Sequence, residues 1–201
     1  MRALLYKDLV VNWSNTLLLW AVAGLACLLP PWLGLEGLLL PLVFGLTLPL
    51  LLFSQEAKEG WYQLLLQLPL APRAVVGARY LEAALLCLWM GACYGLGQAL
   101  SRPRPGLGAC LAAGALAVAI LLALHAVALP LLYAFGPGET LSALLATMGL
   151  AAVVSWLAIS LDEAAFFGLA GHPLPLLGAG AALFLVSLPV AVGRYARRGW
   201  G

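Results

Sequence analysis

Apolar residues run along this chain in six long blocks, at 16–33, 38–54, 80–100, 109–134, 141–161 and 174–193. Each is near the roughly 20 residues that a helix needs to cross a bilayer. Between the blocks lie Pro30-Pro31 to Gly37, Gln55 to Arg79, Ser101 to Gly106, Phe135 to Glu139 and Asp162 to His172. These are the proline, glycine and charge clusters of loops. The second block carries Pro41 and Pro49, which would weaken a soluble helix. Its Leu-rich run at 38–52 is worth about −3 to −5 kcal/mol of insertion, at roughly −0.3 to −0.6 per leucine. Neighbouring helices can satisfy the carbonyls that the prolines free. The pattern predicts an all-α integral membrane bundle of about six transmembrane helices, one domain over residues 1–201.

The first fifteen residues follow a different period. At roughly 100° per residue, Leu5, Leu9 and Trp13 share one face while Lys7, Asp8, Ser14 and Asn15 lie away from it. Leu4 and Val11 spoil the pattern. The segment 1–15 is expected to lie in the membrane interface as an amphipathic helix, with the polar start of the first span as the plainer reading.

Composition agrees with lipid as the solvent. Of 201 residues, 64% are hydrophobic and only 9% charged, where a soluble domain has roughly a quarter charged. The net charge of +2 points to no nucleic-acid partner. The placement of the charges is more informative. With six spans, Arg2, Lys7, Lys58, Arg73, Arg79, Arg194, Arg197 and Arg198 share one side, leaving only Arg102 and Arg104 on the other. By the positive-inside rule both termini and the 55–79 loop are cytoplasmic, in a multi-pass cell-membrane protein. Lys7, Asp8 and Asn12 interrupt the first apolar run, so no cleavable signal is expected there. Cys27, Cys87, Cys93 and Cys110 sit in or beside apolar blocks with no CxxC spacing, and read as small buried hydrophobes rather than disulfides or metal ligands. Gly91 and Gly95 form a GxxxG step that permits close helix approach.

The loop at 55–79 carries the most pattern. On a helical wheel Glu56, Glu59, Gln63 and Gln67 fall within about 80° of one another, with Trp61, Leu64, Leu65 and Leu68 opposite. Pro69 stops this helix and Pro72 fixes a second bend. Two readings stay open: a face that docks a soluble partner, or a surface helix that merely closes the loop.

The residues Glu56-x-x-Glu59-Gly60-Trp61, then Leu68-Pro69-Leu70-x-Pro72-Arg73-x-x-Val76, then Ala78-Arg79-Tyr80-Leu81 resemble the cytoplasmic loop of ABC-2 type transporter permeases. More narrowly they resemble the compact bacterial subgroup that exports amphipathic peptides or antibiotics. The opening Leu4-Leu5-Tyr6-Lys7-Asp8-Leu9, the number of spans and the short basic tail are similar as well. The resemblance implies a permease dimer, expected to be a homodimer, seated on two copies of a cytoplasmic ATPase that binds ATP and magnesium. It implies that Glu56, Glu59, Gly60, Trp61, Gln63, Gln67, Leu68, Pro69 and Arg73 form the ATPase-coupling segment, with Glu56 and Glu59 meeting polar or basic groups of that subunit. It also implies a re-entrant element over 162–172 near an extracellular gate, with Asp162, Glu163, Phe166 and Phe167.

No catalytic, cofactor or metal site is expected in the chain itself. It has no GxxxxGK(S/T) phosphate loop, no HExxH and no GxSxG around Ser155 or Ser160. His125 lies inside the fourth span, where a hydrogen bond to a neighbouring helix is the plain reading and a transport role the sharper one. Arg79 and Glu82 have the spacing of a pair on one helix face. Glu139, after Pro137-Gly138, reads as a helix cap. The alternatives to a permease are a membrane-embedded enzyme acting on lipid or peptide through Glu56, Glu59 and His125, or an ATPase-independent carrier or scaffold.

Overall fold

A computed structural model describes residues 13–32, 43–49, 70–101, 106–135, 142, 145–149, 152 and 172–198. All regular structure among them is α-helical: α1 (Trp13–Trp32), α2 (Pro72–Leu100), α3 (Leu107–Phe135) and α4 (Pro173–Arg198), with residues 43–49 also helical. α2, α3 and α4 are each long and apolar enough to cross a membrane, and α1 contributes a shorter apolar stretch, Trp20–Leu29. At 1.5 Å per residue, the 29 residues of α2 or α3 reach about 44 Å, against a hydrocarbon core of about 30 Å. These elements match an all-α membrane bundle. Within the blocks predicted at 38–54 and 141–161, the described residues 43–49, 142, 145–149 and 152 are helical.

Two element boundaries differ from the expected ones. Trp13, Ser14 and Asn15, which the wheel groups with the interfacial helix, are continuous with α1; the rest of that helix, residues 1–12, lies outside the described residues. α2 begins at Pro72, so the last eight residues assigned to the loop are already helix. The reason is local. Proline at the first helical position gives up an N–H that would have no intrahelical partner, and the extended Ala71 (φ −61°, ψ 129°) turns the chain into it. The bend expected at Pro72 is therefore a helix start. At the far end of α2 the carbonyl of Gln98 accepts both the Ser101 N–H (3.2 Å) and the Ser101 hydroxyl (2.7 Å). α3 opens on the carbonyl of Gly106, which accepts the N–H groups of Ala109 (3.0 Å) and Cys110 (3.2 Å).

α2 is the hub, packing against α1, α3 and α4, while α3 and α4 lie along each other. Its buried face includes Val76, Leu86, Cys87 and Met90, which share one hydrophobic core with Leu121, Leu132 and Tyr133 of α3. Lipid offers no hydrophobic reward for pairing helices, so the close seams are made by small residues. The GxxxG step is one of them. A Cβ on Gly91 would collide with Val118 and lie 2.8 Å from the Gly114 carbonyl oxygen, and one on Gly95 would lie 3.0 Å from that of Cys110. The outward surface is apolar: Leu18, Leu25, Leu96, Leu111, Leu185 and Val186 are exposed. In water this would be untenable; against acyl chains it is the expected complement. The four cysteines are buried and free, and no group of three or more metal-binding His, Cys, Asp or Glu residues occurs among the described residues.

Candidate functional site

Of the predicted coupling segment, only Arg73 is described; Glu56, Glu59, Gly60, Trp61, Gln63, Gln67, Leu68 and Pro69 lie outside the described residues. So do Asp162, Glu163, Phe166 and Phe167 of the predicted gate element. Arg73 is exposed in the first turn of α2, and the buried face of that helix begins two residues later at Val75. The described helix therefore takes over three residues after Pro69 and carries on without interruption to Leu100.

The described arginine and glutamate side chains lie at the end of the bundle where α2 begins and α3 and α4 finish. Arg79 Nη1 and Glu82 Oε2 are 2.5 Å apart, the pair that the spacing predicts. Their side chains are only 15% and 19% exposed. Arg79 stands about 10 Å along α2 from its start, where an isolated charge would be costly and a neighbouring carboxylate offsets that cost. The pair forms one wall of a recess completed by Trp20 of α1, Pro49 of the 43–49 helical stretch, Ala83 and Leu86 of α2, and Leu129, Leu132 and Tyr133 of α3. Four elements thus converge on one ion pair near the start of α2.

Around this recess lie three cross-links that no sequence spacing signals. Tyr80 OH and Ser187 Oγ are 2.9 Å apart and join α2 to α4, with the Tyr80 ring tilted on Phe184 at a centroid separation of 4.8 Å. Tyr133 and Tyr195 meet edge to face at 5.8 Å, joining α3 to α4. The Trp89 indole N–H donates to the Trp20 carbonyl at 3.0 Å, joining α2 to α1. It reaches that carbonyl over Gly24, where a Cβ would stand 3.0 Å from the indole nitrogen. The only hint in the sequence is a tyrosine, a serine or a tryptophan inside an apolar block; which partner each finds depends on helix rotation.

His125 is fully buried in the middle of α3, with Nδ1 2.8 Å from the Leu121 carbonyl oxygen of its own helix and 3.7 Å from Cys87 Sγ of α2. A carbonyl can only accept, so Nδ1 carries the hydrogen. The Gly45 backbone of the neighbouring 43–49 stretch also lies against the ring, so the imidazole is held between its own helix, Cys87 of α2 and that neighbour. Ser155, Ser160 and Glu139 lie outside the described residues.

Taken together, the described parts form a lipid-facing bundle whose described arginine and glutamate side chains gather at one end, immediately after the loop segment. No curated protein and no solved structure matches the chain. Over residues 3–192, however, it matches the sequence profile described as ABC-2 family transporter protein, and it belongs to that family.

Proposed function

We propose that this ABC-2 permease subunit is driven through its loop helix, Glu56 to Leu68, by a separate ATPase. The coarse part of this reading follows from membership of the family over residues 3–192: a transport subunit in the membrane whose kind of partner is an ABC ATPase. The finer part is our own. Two ATPase copies, each binding ATP and magnesium, sit beneath a homodimer of the permease in the cell membrane, with the termini and the 55–79 loop on the cytoplasmic side. Glu56, Glu59, Gln63 and Gln67 face the ATPase, and Leu68-Pro69 turns the chain into α2. The element after Asp162, with Glu163, Phe166 and Phe167, borders the external gate. The cargo is amphipathic (a peptide, an antibiotic or a lipid-like molecule), because apolar spans with few charges suit such a cargo better than a hydrophilic solute; outward movement is what the resemblance to the exporting subgroup implies.

One observation supports the coupling route above the others. α2 starts three residues after Pro69 and runs as a single helix past the Arg79–Glu82 pair to Leu100. A displacement of the loop helix would therefore be delivered to a rod packed on α1, α3 and α4. The test is to express the chain with a candidate ABC ATPase from the same genome, purify the complex in mild detergent, and compare it with a Glu56→Ala/Glu59→Ala variant. The reading expects the ATPase to copurify with the parent chain and ATP hydrolysis in liposomes to fall at least severalfold in the variant. Undiminished assembly and hydrolysis in that variant would rule out the coupling role of the two glutamates.

A further inference from the structure

The contact between Tyr80 and Ser187 has a definite polarity. Ser187 Oγ lies 2.8 Å from the Phe184 carbonyl oxygen, which can only accept, so the single serine hydrogen is committed there. The 2.9 Å contact with Tyr80 must then run from the tyrosine O–H to the serine oxygen. The result is a directed chain, Tyr80 O–H to Ser187 O–H to the Phe184 carbonyl, that is buried between two helices.

Its position on α4 is the second observation. Pro189 lies inside α4 two residues after Ser187. Having no N–H, it leaves the Leu185 carbonyl without its usual donor, and its ring crowds the preceding turn. A serine that bonds back to a carbonyl one turn earlier also tends to bend a helix. α4 is thus weakest over Phe184–Pro189, and that stretch is where α2 grips it: the Tyr80 hydroxyl holds Ser187 and the Tyr80 ring lies on Phe184. On α2, Tyr80 stands between Arg79 and the rest of the rod, eight residues from its start at Pro72.

We propose that Tyr80 and Ser187 form a latch that makes the C-terminal half of α4 move with the start of α2, with Phe184–Pro189 as the hinge between the two halves of α4. Tyr80 is a positioning residue in this scheme: it touches no cargo and passes on motion that enters through the loop. The inference rests on the ATP-driven permease reading, and its experiment separates the two.

The four native cysteines are replaced by alanine, and spin labels are attached through cysteines at exposed positions in two pairs, Leu81 with Val190 and Leu174 with Val190. Distances are measured in the full permease–ATPase complex, without nucleotide and with ATP and vanadate. The latch expects the Leu81–Val190 distance to stay constant while the Leu174–Val190 distance, which spans the hinge, changes. Tyr80→Phe keeps the ring on Phe184 but removes the donor, and Ser187→Ala removes the acceptor; each should make the Leu81–Val190 distance nucleotide-dependent. Ser187→Thr, which keeps the hydroxyl, should restore constancy. A nucleotide-dependent Leu81–Val190 distance in the unsubstituted pair overturns the latch, as does a constant one in Tyr80→Phe. If nucleotide alters neither distance in any variant, the ATP-driven reading fails and the latch fails with it.

Discussion

Arg79 and Glu82 show how a charge is tolerated inside an apolar helix. The two side chains lie on one face a turn apart and meet at 2.5 Å with little exposure. Removing one partner leaves the other charged in a poorly solvated recess, whereas removing both leaves no charge there. Arg79→Met and Glu82→Gln are therefore each expected to destabilise the bundle by more than the double variant does. The coupling in a double-mutant cycle should be at least about 1 kcal/mol, read from thermal unfolding in detergent. Additive effects would show that the pair contributes little beyond two separate side chains. The same reasoning covers the buried hydroxyl of Ser187, which would be an unsatisfied burden in lipid if it lacked the Phe184 carbonyl and Tyr80 as partners.

At the level of helices, the packing of α2 on α3 depends on what is missing from side chains. A Cβ at Gly91 would collide with the Val118 side chain and lie 2.8 Å from the Gly114 carbonyl oxygen, and that oxygen, being backbone, cannot rotate out of the way. Gly91→Ala is expected to force the two helices apart and cost about 1–3 kcal/mol, as overpacking does elsewhere. Gly178→Ala on α4 is the control, since a Cβ there meets nothing within 4 Å; its effect should stay within about 0.5 kcal/mol. Size-exclusion profiles and melting temperatures of the two variants make the comparison. Equal behaviour would mean that the GxxxG step does not set the seam.

For the molecule as a whole, the asymmetry of the helices and their charges predicts a chemical footprint. Arg73 is exposed at the start of α2, while Ala78 is buried five residues on. In a background with the native cysteines replaced, Arg73→Cys should react with a membrane-impermeant maleimide only after cells are opened, which places the loop end of α2 in the cytoplasm. Ala78→Cys should stay unlabelled in both conditions. Labelling of Arg73→Cys in intact cells would reverse the sidedness and take the ATPase-coupling reading with it.

Much of this was legible in the sequence. The environment is set by composition, because a chain with 9% charged residues cannot cover an apolar bundle with polar groups. Three of the four described long helices fall where apolar runs and loop punctuation put them, with α2 extended back to Pro72. The Arg79–Glu82 pair and the capacity of Gly91 and Gly95 for close approach are also local, since spacing along one helix decides them. Contacts between helices were not legible. That Tyr80 finds Ser187, that Trp89 reaches the Trp20 carbonyl, and that His125 comes up against Cys87 all depend on how each rod is rotated about its axis. α3 is apolar on nearly every face, so its sequence gives no preferred side to bury. Rotation is chosen instead by close packing of small residues across the seams, a property of pairs of helices that only the assembled bundle decides.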